Sequence, residues 1–488
     1  MAIGRKAVRG VAWTISTSIG ARAVGLVGTL LLVRYLLPAD YGEVSAASVI
    51  VLTADQFSTV GVGMYLIVNP KSGREIAFHA TAFHLTTGLL ALSAVLLLRG
   101  SLGPLVDAPT LARYVPGLVL AVLLDRLVFI PERLVVREMR FGLLGLMRTS
   151  GELSYTFVSV GTAMMGWGGM AIVAGNIARA AVRLTFMLVA VDRRDWLTPC
   201  RIKLATIWML VRYGIAVSLG AFATFASRRW DNLLVSRYFG PAILGAYNLA
   251  YNLADIPAVQ VGEQITDVLL TAFSQLEHGK RSAVLVRACN TLALVMFPLA
   301  AGLGAVAPTI TAAFFPQKWI EVGPMLLFLS ALSAPRPIGA AIAAYLQSRN
   351  NPRAVMWIEM FNLALVCGGI ASYGRIGYDW ACIAVGVAFT ARALVYMWAV
   401  KRTDRIPIGA FLNGMWRPLL ACVPLVCGVL AVRHAFAQTG WHSMTLRLGA
   451  EVVTGGLMYL AGAWVIAPRA SRELIDVLRD ALSRRKEK

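Results

Sequence analysis

Apolar runs of about twenty residues recur from one end of the sequence to the other, separated by short polar segments. A run of that length spans the roughly 30 Å hydrocarbon core as a helix. In lipid a helix satisfies every backbone hydrogen bond within its own segment. Fourteen such spans are read at 10–33, 42–66, 76–98, 114–131, 148–166, 169–191, 205–236, 245–270, 285–311, 323–346, 354–374, 381–400, 416–435 and 446–467. The seventh is long enough to hold an interfacial turn before it crosses. The expected fold is an all-α integral membrane protein of about 14 transmembrane helices.

Lys and Arg concentrate in alternate connecting segments, among them Arg133, Arg137 and Arg140, then Arg193, Arg194, Arg201 and Lys203. That bias places both termini in the cytoplasm. It also accounts for most of the net charge of +21 without any nucleic-acid partner. Only 15% of the residues are charged, against about 25% in soluble domains. The short basic stretch at Met1–Gly10 leads into a span too long and polar for a cleavable signal peptide. At the other end Leu474, Val477, Leu478 and Leu482 make a short amphipathic helix suited to an anionic lipid surface. The six cysteines show no metal-binding or disulfide spacing and read as small core residues.

An internal repeat organises the chain. Arg34, Tyr35, Pro38, Ala39 and Gly42 recur as Arg237, Tyr238, Pro241, Ala242 and Gly245, at a constant spacing of 203 residues. Gly166, Trp167 and Ile172 are echoed by Gly377, Tyr378 and Ile383 at a spacing of 211. Spans 1–6 and 7–12 are therefore two copies of one unit. Six is even, so both copies run the same way, and a pseudo-two-fold along the membrane normal relates them. The expected organisation is an N-lobe at 1–203, a C-lobe at 204–402, two further helices at 403–467 and a basic tail at 468–488.

Charges inside the membrane cost about 2.5–3.5 kcal/mol each on insertion scales, so they mark function by default. Span 1 aligns Thr14, Ser18, Arg22, Gly25 and Thr29 on one helical face. Span 2 carries Ser48, Asp55 and Thr59. Span 7 carries Thr224, Arg228 and Asp231, with Arg229 and Asn232 beside them. Span 8 carries Asn248, Asn252, Asp255 and Glu263. Arg336 lies in span 10 between Pro335 and Pro337, where two prolines should break the helix. These stripes belong largely to the first two spans of each copy, as expected if both lobes line one hydrated cavity. Arg22, Arg228, Arg229, Arg336, Asn248 and Asn252 are the candidate substrate-binding residues. Asp55, Asp231 and Asp255 are candidates for coupling and gating. Arg126 reads as pairing with Asp125 or snorkelling. Glu152 with Arg179 or Arg183, and Glu359 with Arg392, occupy comparable places in the two copies and read as pairs within each lobe.

No phosphate-binding loop, hydrolase elbow or zinc motif occurs in the sequence. No cofactor or metal is expected. Transport would draw on a proton or sodium gradient, the membrane potential or the substrate gradient. A membrane-embedded polymerase or ligase would need a larger outer loop than the segment around 99–113. A cation-coupled exporter of small drugs would favour acidic and aromatic cavity residues over arginines.

Leu32-Val33-Arg34-Tyr35-Leu36-Leu37-Pro38-Ala39-Asp40-Tyr41-Gly42 resembles the signature after the first helix of polysaccharide flippases. So do Trp230-Asp231-Asn232-Leu233-Leu234-Val235 with Gly240–Tyr247, and Arg137-Glu138-Met139-Arg140-Phe141 before span 5. The resemblance, over roughly 5–400, is to Wzx-type flippases of the multidrug/oligosaccharidyl-lipid/polysaccharide exporter superfamily, nearest the succinoglycan or colanic-acid branch. The chain departs from the commoner pattern at Ser236-Arg237 and at Arg349-Asn350-Asn351-Pro352-Arg353. The resemblance implies movement of undecaprenyl-pyrophosphate-linked oligosaccharide across the bacterial inner membrane, beside a polysaccharide polymerase and export machinery. Arginine forks suit the pyrophosphate, and Asn, Ser and Thr suit the sugars.

Overall fold

The computed structural model describes residues 20, 24–69, 73–257, 278–331, 334–349, 351–373, 376–439, 443–468 and 471–472. Arg22, Glu263 and the apolar positions of the basic tail lie outside the described residues. The described residues are helical and contain no strand. By internal contacts the chain divides into two compact units, Met1–Gly245 and Ala246–Lys488.

Unit 1 holds α1 (Val24–Tyr35), α2 (Pro38–Ser58), α3 (Val62–Val68), α4 (Arg74–Leu105), α5 (Leu111–Arg137), α6 (Phe141–Met164), α7 (Met170–Ala190), the single turn α8 (Arg194–Leu197) and the first part of α9 (Leu204–Pro257). Unit 2 begins with the end of α9. It continues with α10 (His278–Phe314), α11 (Val322–Ala331), α12 (Pro335–Ser348), α13 (Pro352–Tyr373), α14 (Tyr378–Asp404), α15 (Ile408–Thr439) and α16 (Met444–Ile466).

Among the described residues eight helices are long and apolar enough to cross a membrane, and two bent pairs raise this to ten. One bent pair, Leu204–Ile215 with Ser218–Ile256, turns by 48° where an interfacial turn was expected in span 7. The other, Val322–Ser330 with Pro335–Ser348, turns by 43°. The second half starts at Pro335, so the break falls where the two prolines placed it. α2 and α6 have 21 and 24 residues, length enough to cross. Their polar content keeps them off the count: Asp40, Glu43 and Asp55 on α2, Arg148 and Glu152 on α6.

Span 2 is not one helix. It breaks between Ser58 and Val62, where Gly61 takes φ 27°. A Cβ on Gly61 would stand 2.7 Å from the carbonyl oxygen of Gly214, so the chain turns where two backbones meet. α9 is interrupted at Gly240, whose φ of 78° favours glycine. Pro241 follows and disfavours helical backbone at the residue before it.

The two copies of the repeated motif meet each other inside unit 1. A Cβ on Gly42 would overlap the carbonyl oxygen of Pro241, and a Cβ on Gly245 would overlap that of Pro38. The contact is reciprocal: the glycine of each copy receives the proline carbonyl of the other. Close backbone approach at glycine is a familiar device for packing membrane helices.

Unit 1 packs Leu66, Val128, Ile130, Met147, Met187 and Trp196 into one apolar core. Unit 2 has two cores, one around Cys289, Ile342, Tyr345 and Tyr396, the other around Leu294, Leu425, Val429 and Tyr459. Large apolar side chains such as Leu97, Phe157, Val189 and Val465 point outward. An aqueous surface would not carry so many, but lipid tails accept them.

Charged side chains tie the helices of each unit together. In unit 1, Arg179 of α7 approaches Glu152 of α6 at 3.5 Å and lies over the Tyr155 ring. Arg183 reaches both Asp125 (2.7 Å) and Glu132 (3.3 Å) on α5, and Arg148 of α6 also donates to Glu132 (2.9 Å). In unit 2, Arg392 of α14 donates to both oxygens of Glu359 on α13 at 3.1 Å, and Tyr396 donates to the same carboxylate at 2.8 Å. The pairs expected in comparable places of the two copies are thus both formed.

Two outcomes follow. Gly42→Val and Gly245→Val should each destabilise the protein by at least the ~1–3 kcal/mol of ordinary overpacking, because a backbone oxygen cannot step aside as a rotamer can. The readout is the thermal midpoint in detergent by fluorescence-detected chromatography. Glu359→Gln alone should cost ~3–5 kcal/mol by stranding Arg392, and the double variant Glu359→Gln with Arg392→Met should recover much of that loss. Midpoints of the two single variants and the double variant, measured in parallel, check it.

Candidate functional site

The polar stripe of span 8 survives in the structure as one face of the last turns of α9. Asn252 Nδ2 donates to Asn248 Oδ1 at 2.8 Å, one turn apart. Tyr251 and Asp255 continue the stripe toward the end of the helix. Facing them is Arg336, in the first turn of α12. The proline-induced break places the guanidinium there, since Pro335 restarts the helix and Arg336 is its second residue.

Arg336 Nη1 donates to Asp255 Oδ1 at 2.9 Å. Its guanidinium lies over two aromatic rings, 4.5 Å from the centre of Tyr251 and 4.1 Å from that of Phe389. Such stacking holds a cation without consuming its in-plane donors. Nε of Arg336 is buried and has no hydrogen-bond partner among the described residues. Phe389 also receives Arg392, at 5.1 Å. One ring therefore contacts two guanidiniums, and the Glu359 pair borders the Arg336 pair.

Unit 1 builds a related pair from the same two places in the repeat, span 2 and span 4. Arg126 Nε on α5 donates to Asp55 Oδ1 on α2 at 2.6 Å. Here the guanidinium is enclosed. Its Nη groups donate to the backbone oxygens of His84 and Asp55 and to the hydroxyls of Ser58 and Thr59. Gly88 leaves the space it fills, since any Cβ there would overlap it. Arg126 is 3% exposed and spends its donors on fixed acceptors, whereas Arg336 is 9% exposed and keeps one buried donor without a partner.

The remaining candidates divide between the units. Arg228 and Arg229 are exposed on unit 1, and Asp231 beside them is buried. Asn248, Asn252, Asp255 and Arg336 come together in unit 2. Asp55, a candidate for coupling and gating, is engaged by Arg126. Arg126 pairs across the helices with Asp55, while its sequence neighbour Asp125 pairs with Arg183. Neighbours on a helix point about 100° apart, so adjacent residues face different partners. The reading of Arg126 as a partner of Asp125 is corrected on that ground. The comparison of span 5–6 charges between copies, applied to spans 2 and 4, would have found both pairs. Among the described residues no group of three or more His, Cys, Asp or Glu side chains could hold a metal ion.

Known proteins share this sequence pattern and this fold. The lipopolysaccharide biosynthesis protein WzxC of Escherichia coli (strain K12) is 23% identical over 87% of this chain and 87% of its own length. The succinoglycan biosynthesis transport protein ExoT of Rhizobium meliloti (strain 1021) is 24% identical over 96% and 95%. The structure of the lipid II flippase MurJ in an inward closed conformation superposes with a TM-score of 0.76, at 13% identity, over 95% of this chain and 100% of that one. Residues 31–324 match the model of the family described as polysaccharide biosynthesis protein. The chain is a multi-pass membrane protein and belongs to that polysaccharide biosynthesis family.

Proposed function

We propose that this protein is a flippase that moves lipid-linked oligosaccharide repeat units across the bacterial inner membrane for exopolysaccharide or lipopolysaccharide synthesis. It is a transporter and not an enzyme, in keeping with relatives named for transport and flipping. Its substrate is an undecaprenyl-pyrophosphate oligosaccharide. Both termini face the cytoplasm, and two six-helix lobes at 1–203 and 204–402 alternate access without hydrolysing ATP. A polysaccharide polymerase takes up the product on the outer side.

The observation that carries this reading is the state of Arg336. Its charge is balanced by Asp255 through a single hydrogen bond to one oxygen, its faces are covered by Tyr251 and Phe389, and its Nε, like that of Arg392, lacks a partner among the described residues. A pyrophosphate supplies two features at once: charge that can displace Asp255, and oxygens for a planar fork. Asn248 and Asn252, one turn apart beside it, offer amide groups to sugar hydroxyls. Arg22, Arg228 and Arg229 serve the anion elsewhere on its path. Asp255, released when the anion binds, resets the arginine afterwards. The ion gradient drives that reset, and Asp231 serves coupling in unit 1.

In proteoliposomes of the purified protein, a fluorescent lipid-linked oligosaccharide should become accessible on the far leaflet with no nucleotide present. Arg336→Ala should slow this about ten- to a hundredfold, the loss of one or two charge-assisted hydrogen bonds. Arg336→Lys should restore only part of the rate, since an ammonium lacks the fork. A strict requirement for ATP, or full rates with Arg336→Ala, would refute the proposal.

A further inference from the structure

A second charged cluster takes no part in the proposed transport step. It lies where α10, α15 and α16 meet in unit 2. Glu451 of α16 is fully buried, at 0% exposure. One of its oxygens, Oε1, accepts three hydrogen bonds: from Thr309 Oγ1 (2.9 Å), Arg433 Nε (3.2 Å) and Arg447 Nε (3.1 Å). Arg433 Nη2 donates to the carbonyl of Ala305. The other carboxylate oxygen, Oε2, has no partner among the described residues.

Two guanidiniums therefore share one carboxylate, and the cluster keeps a surplus positive charge. A structural tie between these helices would need only one arginine. The second adds a cation that nothing among the described residues neutralises. Nη1 of Arg433 and both Nη groups of Arg447 donate to no acceptor among the described residues. Their Nε atoms are pinned to one oxygen, so the two forks are held side by side.

Place decides what could fill them. Arg447 lies in the first turns of α16, close after its cap Ser443, and Arg433 lies within about two turns of the end of α15. Both stand toward one end of the α15–α16 hairpin, and the end of a hairpin long enough to cross the bilayer falls near the lipid headgroups. Leu430, Met444, Leu446 and Val453 around them are exposed apolar side chains, as a lipid-facing surface requires. The arginine side chains are themselves 23% and 21% exposed.

We propose that Arg433 and Arg447 form a binding site for the phosphate of a membrane phospholipid, with Glu451 positioning both arginines. A phosphodiester is a monoanion and neutralises the surplus charge. Its free oxygens accept from the paired forks, and its acyl chains lie along Leu430 and Leu446. The site is separate from Arg336 and does not depend on the transported substrate.

Native mass spectrometry of the full-length protein in detergent tests this with three probes: phosphatidylglycerol, diacylglycerol with the same chains, and inorganic phosphate as competitor. Phosphatidylglycerol should be retained and diacylglycerol should not. An excess of inorganic phosphate should leave the lipid bound. Arg433→Gln and Arg447→Gln should each weaken retention by about tenfold, the loss of one charge-assisted hydrogen bond. Arg447→Lys should recover part of it. Thermal midpoints of each variant verify folding, and if the Gln variants unfold, the two lipids compared on the unaltered protein decide the matter. Equal retention of diacylglycerol, displacement by inorganic phosphate, or undiminished binding in folded Arg433→Gln and Arg447→Gln would each overturn the site.

Discussion

A charge in hydrocarbon must find a partner, and among the described residues that partner is usually on another helix. Breaking such a pair strands a buried ion at ~3–5 kcal/mol, a cost far above that of losing a few apolar contacts. The pairs are therefore constraints on how helices stack as much as contributions to stability. Arg183 joins α7 to α5 at two places, and Arg148 joins α6 to the same glutamate. Arg392 joins α14 to α13 in the same way in unit 2. Once these partners are chosen, each bundle has little freedom to slide.

The sequence repeat offers the same constraint twice, and its two occurrences use it differently. The span 2–span 4 pair of unit 1, Asp55 with Arg126, is surrounded by backbone and hydroxyl acceptors. Its counterpart in unit 2, Asp255 with Arg336, has aromatic walls in place of acceptors and a buried donor left over. A closed pair holds helices. Arg183 and Arg392 also leave Nε without a partner among the described residues, but each reaches two carboxylate oxygens, whereas Arg336 holds Asp255 through one oxygen and can exchange it for another anion. That difference connects the fold to the proposed movement of a pyrophosphate-linked oligosaccharide.

Much of this was legible in the sequence, and the failures have physical causes. The helical membrane architecture follows from apolar run length, and the break before Arg336 follows from Pro335 and Pro337. The pairs of Glu152 with Arg179 and of Glu359 with Arg392 were readable because both copies place an acid and a base on adjacent spans. Asp55 with Arg126 was missed because Asp125 is the nearer acid along the chain, and chain neighbours on a helix do not face one partner. The split of span 2 at Gly61 was hidden because it depends on Gly214, more than a hundred residues away. Arg447 and Glu451 are one turn apart on α16 and were readable as a pair, but Thr309 and Arg433 join them only when three helices pack. The reciprocal contact of Gly42 and Gly245 gives the repeated motif a packing role that the repeat itself did not reveal.

The contrast between the closed and the open pair is tested most directly by removing each as a pair and measuring polymer export in a strain lacking the gene. Neutral replacement of both partners avoids a stranded charge and is often tolerated. Asp55→Asn with Arg126→Met should retain export once membrane levels are matched by immunoblot. Asp255→Asn with Arg336→Met should reach the membrane equally well and export nothing. Equal export by the two double variants, or loss confined to the Asp55 and Arg126 variant, would contradict the assignment of Arg336 to the substrate anion.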